Sequence, residues 1–152
     1  MTSDLNTISD DVIREEYLKR FSLTKGERLS SSTGAVDHLR SFYLSLPKDQ
    51  EHFSVVFLSG QNEIIATECV FSGSLTSSAI YPRELIKKVL EYGSAAIICC
   101  HNHPSGSIRP SSHDRKVTQK LQTALESIDV RILDHLILGG NEFYSFAEEG
   151  LL

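Results

Sequence analysis

The stretch that most restricts the fold is Ala95-Ala-Ile-Ile-Cys-Cys100, which runs straight into His101-Asn-His-Pro-Ser-Gly106. Six consecutive small or apolar residues leave no polar face, so a strand here must be covered on both sides and lie inside a sheet. The polar loop expected over residues 101–110 then begins at the end of a buried strand, where α/β sheets collect their functional groups. Extended backbone points residues two apart the same way, so His101 and His103 can direct their imidazoles at one point. Asp114 falls in the first turn of a helix expected over residues 111–128, from which its carboxylate can aim back at the two rings. Two histidines and one carboxylate form a donor set for Zn2+. Three protein ligands leave a fourth position for water, as catalytic rather than structural zinc sites do. Zinc held there would draw the pKa of that water toward neutrality and polarise a substrate carbonyl.

Around this strand the pattern is that of a compact α/β unit over residues 33–152. Thr33 can cap a helix running to about Leu46, with Val36, Leu39, Tyr43 and Leu44 on one face and Pro47 as its stop. Residues 53–58 and 63–71, on either side of Gly60-Gln-Asn62, read as a hairpin followed by a loop over 72–78. Pro82 opens a helix carrying Leu85, Ile86, Val89 and Leu90, and Gly93 closes it. Val117, Leu121, Leu125 and Ile128 make the buried stripe of the next helix. Strands over 130–138 and 142–146 flank Gly139-Gly-Asn141. Residues 1–32 read as an arm. Ser9-Asp10-Asp11 caps a short helix with Val12, Ile13 and Tyr17 at helical spacing, and residues 25–34, rich in Ser, Thr and Gly, form a linker.

Composition narrows the class of function. A chain of 152 residues, 40% hydrophobic and 23% charged, suits one globular domain. Twenty acidic residues against 15 basic ones give a net charge of −5, which counts against wrapping nucleic acid by bulk charge. Arg83, Lys87, Lys88, Arg109, Arg115, Lys116 and Lys120 could form a local basic surface, but no interleaved aromatics offer base stacking. No apolar run approaches the ~20 residues of a bilayer span, and the polar, acidic start does not resemble a signal peptide. Cys69, Cys99 and Cys100 are odd in number and partly vicinal, unlike a secreted disulfide framework, so a cytoplasmic protein is expected. At least one of Cys99 and Cys100 should behave as a small buried hydrophobe.

Several residues admit two roles. Ser111-X-X-Asp114 is also a helix capping box with Asp in place of Glu or Gln, so Ser111 either caps the helix or donates to an oxyanion. The two roles are compatible. His113 reads as solvated on a helix surface, and His135 as either a core histidine or a support behind the ligands. His38 and His52 carry no pattern. The letters His-Asn-His are contiguous here, not spread over the ββα unit of the nucleases named for them.

Taken together, His101-X-His103-Pro and Ser111-X-X-Asp114 resemble the signature of the JAMM (JAB/MPN) metalloprotease superfamily. The wording resembles its bacterial RadC branch more closely still. It includes His101-Asn-His-Pro-Ser-Gly106, Pro110-Ser111-X-X-Asp114, Tyr81-Pro-Arg-Glu84, Leu133-Asp-His-Leu-Ile137 and Tyr144-Ser-Phe-Ala-Glu148. The resemblance covers residues 33–152. It implies an α/β fold of the α+β type: a JAB/MPN-like, cytidine-deaminase-like curved mixed sheet flanked by helices, with one zinc at the sheet edge. It implies His101, His103 and Asp114 as the zinc ligands and Ser111 as the group that stabilises the oxyanion. It also implies a glutamate general acid/base just before or at the start of the first core strand. Glu51 holds the matching position, and Glu68 on the second hairpin strand is the runner-up. Asn102 stands where many JAMM proteases carry Ser or Thr, and could either donate to substrate or fix the loop.

The implied activity is zinc-dependent hydrolysis of a peptide or isopeptide bond in a peptide or protein substrate. Residues 73–78 and the arm are the expected places for specificity. The RadC name also suggests DNA repair or mobile-element biology with a nucleic-acid partner, which the net charge weakens. A third reading is a metal-stabilised interaction module without turnover. Full-length RadC proteins carry an N-terminal helix-hairpin-helix-like segment, so this chain resembles the short form. Its exposed hairpin edge could pair in a homodimer.

Overall fold

The computed structural model describes residues 7–74 and 80–152. The chain runs α1 (Asp10–Phe21), α2 (Ser32–Tyr43), β1 (His52–Leu58), β2 (Ile64–Ser72), α3 (Pro82–Tyr92), β3 (Ala96–Asn102), α4 (Ser112–Glu126), β4 (Arg131–Gly139) and β5 (Glu142–Ser145). The apolar run becomes β3, the middle strand of a sheet ordered β2-β1-β3-β4-β5. Only β3 and β4 are parallel; the other neighbours are antiparallel. The expected mixed sheet flanked by helices is therefore present.

Strand alternation divides the core into two halves. Ala96, Ile98 and Cys100 of β3 join Val56, Leu58 and the α2 residues Val36 and Leu39 on one face. Ile97 and Cys99 join Phe53, Val55 and Phe57 on the other, under Leu85 and Val89 of α3 and Val117, Leu121 and Leu125 of α4. Each large apolar side chain so buried contributes about 1.5–3 kcal/mol, which requires β3 to stay central. Cys99 and Cys100 are both free and buried, one toward each face, and burial pushes both thiols far above their ordinary value.

Local signals explain most element ends. Pro82 sits at the start of α3, and Gly93 ends it with φ at 61°, a left-handed turn that costs glycine little. At α2 the cap is Ser31 rather than Thr33: Ser31 Oγ accepts the Gly34 N–H at 3.0 Å. The same helix ends at Tyr43 instead of running to Leu46, because tighter turns take over, with Leu44 N–H donating to Ser41 O at 3.3 Å. Ser9 caps α1 as expected, yet α1 buries no residue and leaves Val12 and Ile13 about half exposed.

The segment read as a linker is ordered against the hairpin. Gly26 N–H donates to Ile64 O, Ile64 N–H to Glu27 O and Leu29 N–H to Asn62 O, all at 2.8–2.9 Å. Leu29 is buried in the α2-side core. A single apolar residue among Ser, Thr and Gly gave no periodicity by which to see this. The loop expected over 72–78 falls largely outside the described residues. Among those described, no helix is long and apolar enough to cross a membrane.

β3 also extends two residues beyond the expected strand, so His101 and Asn102 belong to it and not to the loop. Pairing continues because His101 faces Phe53 of β1 and Ile137 of β4, and Asn102 faces Leu138. His103 N–H then donates to Leu138 O at 2.9 Å, which folds the following loop over the end of β4. Gly139 permits this approach: a Cβ there would stand 2.6 Å from Gly106 O and 2.9 Å from Ile108 Cγ2. We expect Gly139→Ala to displace this loop, to destabilise the fold by about 1–3 kcal/mol, and to weaken metal binding at His103. Denaturant unfolding and metal titration of the same variant check both effects.

Candidate metal centre

Three side chains converge where β3 ends and α4 begins. His101 comes from the last buried turn of the β3 pleat, His103 from the first residue past the strand, and Asp114 from the first turn of α4. The Nε2 atoms of His101 and His103 are 3.0 Å apart. His101 Nε2 lies 3.3 Å from Asp114 Oδ1, and His103 Nε2 lies 3.3 Å from Asp114 Oδ2. An ion bound about 2.0–2.1 Å from each of three tetrahedral donors needs them about 3.3 Å apart. The measured separations lie at or just under that edge, so the group can hold a metal ion. His101 is 1% exposed and His103 14%, so the site opens on the His103 side.

The surrounding hydrogen bonds decide which ring nitrogens are bare. Thr118 Oγ1 donates to Asp114 O at 2.8 Å, so it is left to accept from His135 Nδ1–H at 2.5 Å. His135 is fully buried, and burial first, then the neighbouring His101, holds it well below its ordinary pKa. It is therefore neutral, and its bare Nε2 accepts the His101 Nδ1–H at 2.8 Å. His103 Nδ1–H donates to Ser107 O at 2.7 Å. With both rings neutral, the two Nε2 atoms present lone pairs toward each other and toward Asp114, as metal ligation requires; a proton taken up by His103 in the metal-free protein sits on Nε2 against Asp114. The His135 ring is fixed by Phe146, stacked at 4.7 Å, and by Phe53, edge-on at 5.5 Å.

A capping box aims the carboxylate. Ser111 Oγ accepts the Asp114 N–H at 3.0 Å, and Asp114 Oδ2 accepts the Ser111 N–H at 2.8 Å. Burial raises the proton affinity of Asp114, but the His101 and His103 contacts and the Ser111 N–H overcome it and hold the carboxyl far below the usual range. His103 is shifted up, chiefly by its Asp114 contact against the opposing effect of burial, then by Ser107 O and the charges of Asp114 and Glu51.

A family model of the RadC-like JAB domain matches residues 29–151. The chain belongs to this family. It is 43% identical over 135 residues to UPF0758 protein YfjY of Escherichia coli K12, covering 89% of this chain and 83% of that protein. It is 47% identical over 104 residues to UPF0758 protein YeeS of the same strain, covering 68% and 70% of the two chains. With UPF0758 protein VV0285 of Vibrio vulnificus the identity is 41% over 138 residues, or 90% of this chain but only 59% of that longer relative.

Within this RadC-like domain, Glu51 and Glu68 lie apart. Glu51 ends the segment leading into β1, near enough for its charge to act on His103, and lines a depression of about 480 Å3 with Gln50, Ser72, Gly73 and Pro104. Glu68 faces Val55, not Phe53, and accepts from Lys88 Nζ at 2.8 Å and Tyr92 Oη at 2.6 Å, which commits it to α3. Ser111 caps α4, and His113 is exposed on it. Of the basic residues, Lys88 pairs with Glu68 and Arg83 with Glu84. His52 had no sequence signal, yet its buried ring ties Ser72 Oγ at 2.7 Å to Pro47 O at 2.6 Å.

Two outcomes test this centre. His135→Phe keeps a ring between Phe53 and Phe146 but removes the acceptor of His101; calorimetric titration should show metal affinity reduced by about 10–100-fold. In metal-free protein, His103 binds its proton more tightly folded than unfolded. Its contribution is therefore full below the ordinary imidazole value and lost as pH rises through the raised one. Denaturant unfolding across that window should show this loss in the parent chain, and Asp114→Asn should remove it.

Proposed function

We propose that this RadC-like domain is a zinc-dependent hydrolase that cleaves an amide bond, peptide or isopeptide, in a peptide or protein substrate. The observation that carries this reading is the convergence of two bare imidazole nitrogens and an ionised carboxylate on one point open to one side. Two nitrogens and one oxygen suit zinc better than the all-oxygen sets of magnesium or calcium. When bound, zinc supplies Lewis acidity toward water and toward a carbonyl oxygen. Glu51 supplies the proton handling: its carboxylate takes a proton from the attacking water and returns it to the leaving nitrogen. Ser111 serves twice. Its Oγ lone pair holds the Asp114 N–H, and its O–H, which no acceptor takes among the described residues, donates to the carbonyl oxygen as negative charge develops there.

Three free cysteines, two of them buried on opposite faces of β3, support placing this chemistry in the cytoplasm. The nucleic-acid reading gains little support, since the net charge is −5 and two residues of the expected basic surface already face carboxylates.

The test is metal analysis joined to two substitutions. Protein produced with zinc should carry one ion per chain, and Asp114→Ala should lose it. Glu51→Gln should keep the ion and lower kcat by about 10²–10⁴-fold on a peptide or isopeptide library. A parent chain without stoichiometric metal would overturn the reading. Metal retained without cleavage of any library member would favour the metal-stabilised interaction module.

A further inference from the structure

We infer that Asn102 is a positioning residue whose side-chain amide splices the segment carrying Glu51 onto the strand carrying the metal ligands. The inference rests on the proposal that Glu51 moves the proton in hydrolysis, and adds what holds it there.

β1 and β3 pair through their backbones as far as Phe53 and His101. One residue further on, the Asn102 side chain takes over the pairing. Its Oδ1 accepts the His52 N–H at 2.7 Å, and its Nδ2 donates to Gln50 O at 2.9 Å. Those two groups belong to the two peptide units that flank the Cα of Glu51. A primary amide offers a donor and an acceptor in one plane, as a peptide group does, so Asn102 extends the ladder past the end of backbone pairing. The amide orientation is unambiguous, because the reverse would set Nδ2 against an N–H and Oδ1 against a carbonyl.

On its other side the segment is held by β2. Gly73 N–H donates to Glu51 O at 2.9 Å, and the His52 ring spans Ser72 and Pro47. The backbone of Glu51 is therefore fixed from both flanks, leaving only its side-chain torsions to adjust. The pleat accounts for the sequence His101-Asn-His103: alternate residues face the point where an ion would sit, and the residue between them turns to the neighbouring segment. Ser or Thr is too short to span both peptide groups, and Asp lacks the donor for Gln50 O.

The experiment compares Asn102→Ala, Asn102→Asp and Glu51→Gln in the full chain loaded with Co2+. Amide exchange at His52 and the visible spectrum of the cobalt ion are read in each. Asn102→Ala should keep one ion per chain with affinity within about threefold, since no ligand is altered. Exchange at His52 should rise by roughly tenfold, as loss of one net hydrogen bond would give. Its cobalt spectrum should show the change that Glu51→Gln produces. Asn102→Asp keeps the acceptor for His52 and loses the donor to Gln50, so it should retain His52 protection while still shifting the spectrum. If Asn102→Ala fails to fold, Asn102→Asp carries the test alone.

Unchanged His52 exchange in Asn102→Ala, or a parental cobalt spectrum in the Asn102 variants beside an altered one in Glu51→Gln, would overturn the splice and leave the role of Glu51 standing. A parental spectrum in Glu51→Gln itself would remove Glu51 from the site and the inference with it. Failure of the parent chain to bind Co2+ at all would instead count against the metal centre.

Discussion

The constraint on which the rest depends is the 3.0 Å approach of two imidazole Nε2 atoms whose other nitrogens are already donating. With both rings neutral, two lone pairs facing each other beside a buried carboxylate are unfavourable unless a cation or a proton lies between them, and an unsatisfied buried polar group costs about 1–3 kcal/mol. The fold meets this constraint by making the approach unavoidable. The His101 ring cannot turn away without stranding its Nδ1–H, because His135 and Thr118 leave no other acceptor there. The His103 ring is likewise held by Ser107 O. The polarity of the centre is thus set from behind, by groups that do not touch an ion.

Topology brings the remaining chemistry to the same end of the sheet. The β3–α4–β4 crossover is parallel, so the end of β3 and the start of α4 lie together and offer His101, His103 and Asp114 at one level. β1 is antiparallel to β3, so its beginning lies beside the end of β3, with Phe53 opposite His101. A residue just ahead of β1 must therefore lie near His101 and His103, and Glu51 is that residue. β2 runs back the other way, and its residue at the level of Phe53 is Phe71, not Glu68. The register, more than any property of the two carboxylates, separates them.

This explains what could be read from the chain and what could not. The central place of β3 was legible because six apolar residues admit no exposed face. The grouping of His101, His103 and Asp114 was legible because their spacing follows a strand and a helix turn, both local geometries. Pro82 and Gly93 marked α3 for the same reason. The supports of the site were legible only as open alternatives, for His135 and Asn102, and their partners were not. His135 reaches His101 from 34 residues away, Asn102 reaches Gln50 from 52, and His52 reaches Ser72 from 20. Such pairings depend on register, which alternation in one strand cannot fix without its partner. Leu29 was hidden for a related reason, since one apolar residue in a polar segment has no period.

The capping box of α4 resolves a conflict that the site would otherwise carry. A helix N-terminus bears partial positive charge and disfavours a cation close to it. A metal ion held by His101 and His103 alone would meet that charge directly. Asp114 stands between them: Oδ2 takes the Ser111 N–H and answers the helix, while Oδ1 faces His101. The same helix end helps keep the carboxyl ionised, so the group that screens the dipole is also ready to ligate. Replacing Asp114 by a neutral acceptor would keep the cap and lose the screen, and the ion and the helix terminus would then repel. A side chain able to cap and to ligate at once is therefore what holding a cation at this end of α4 would require.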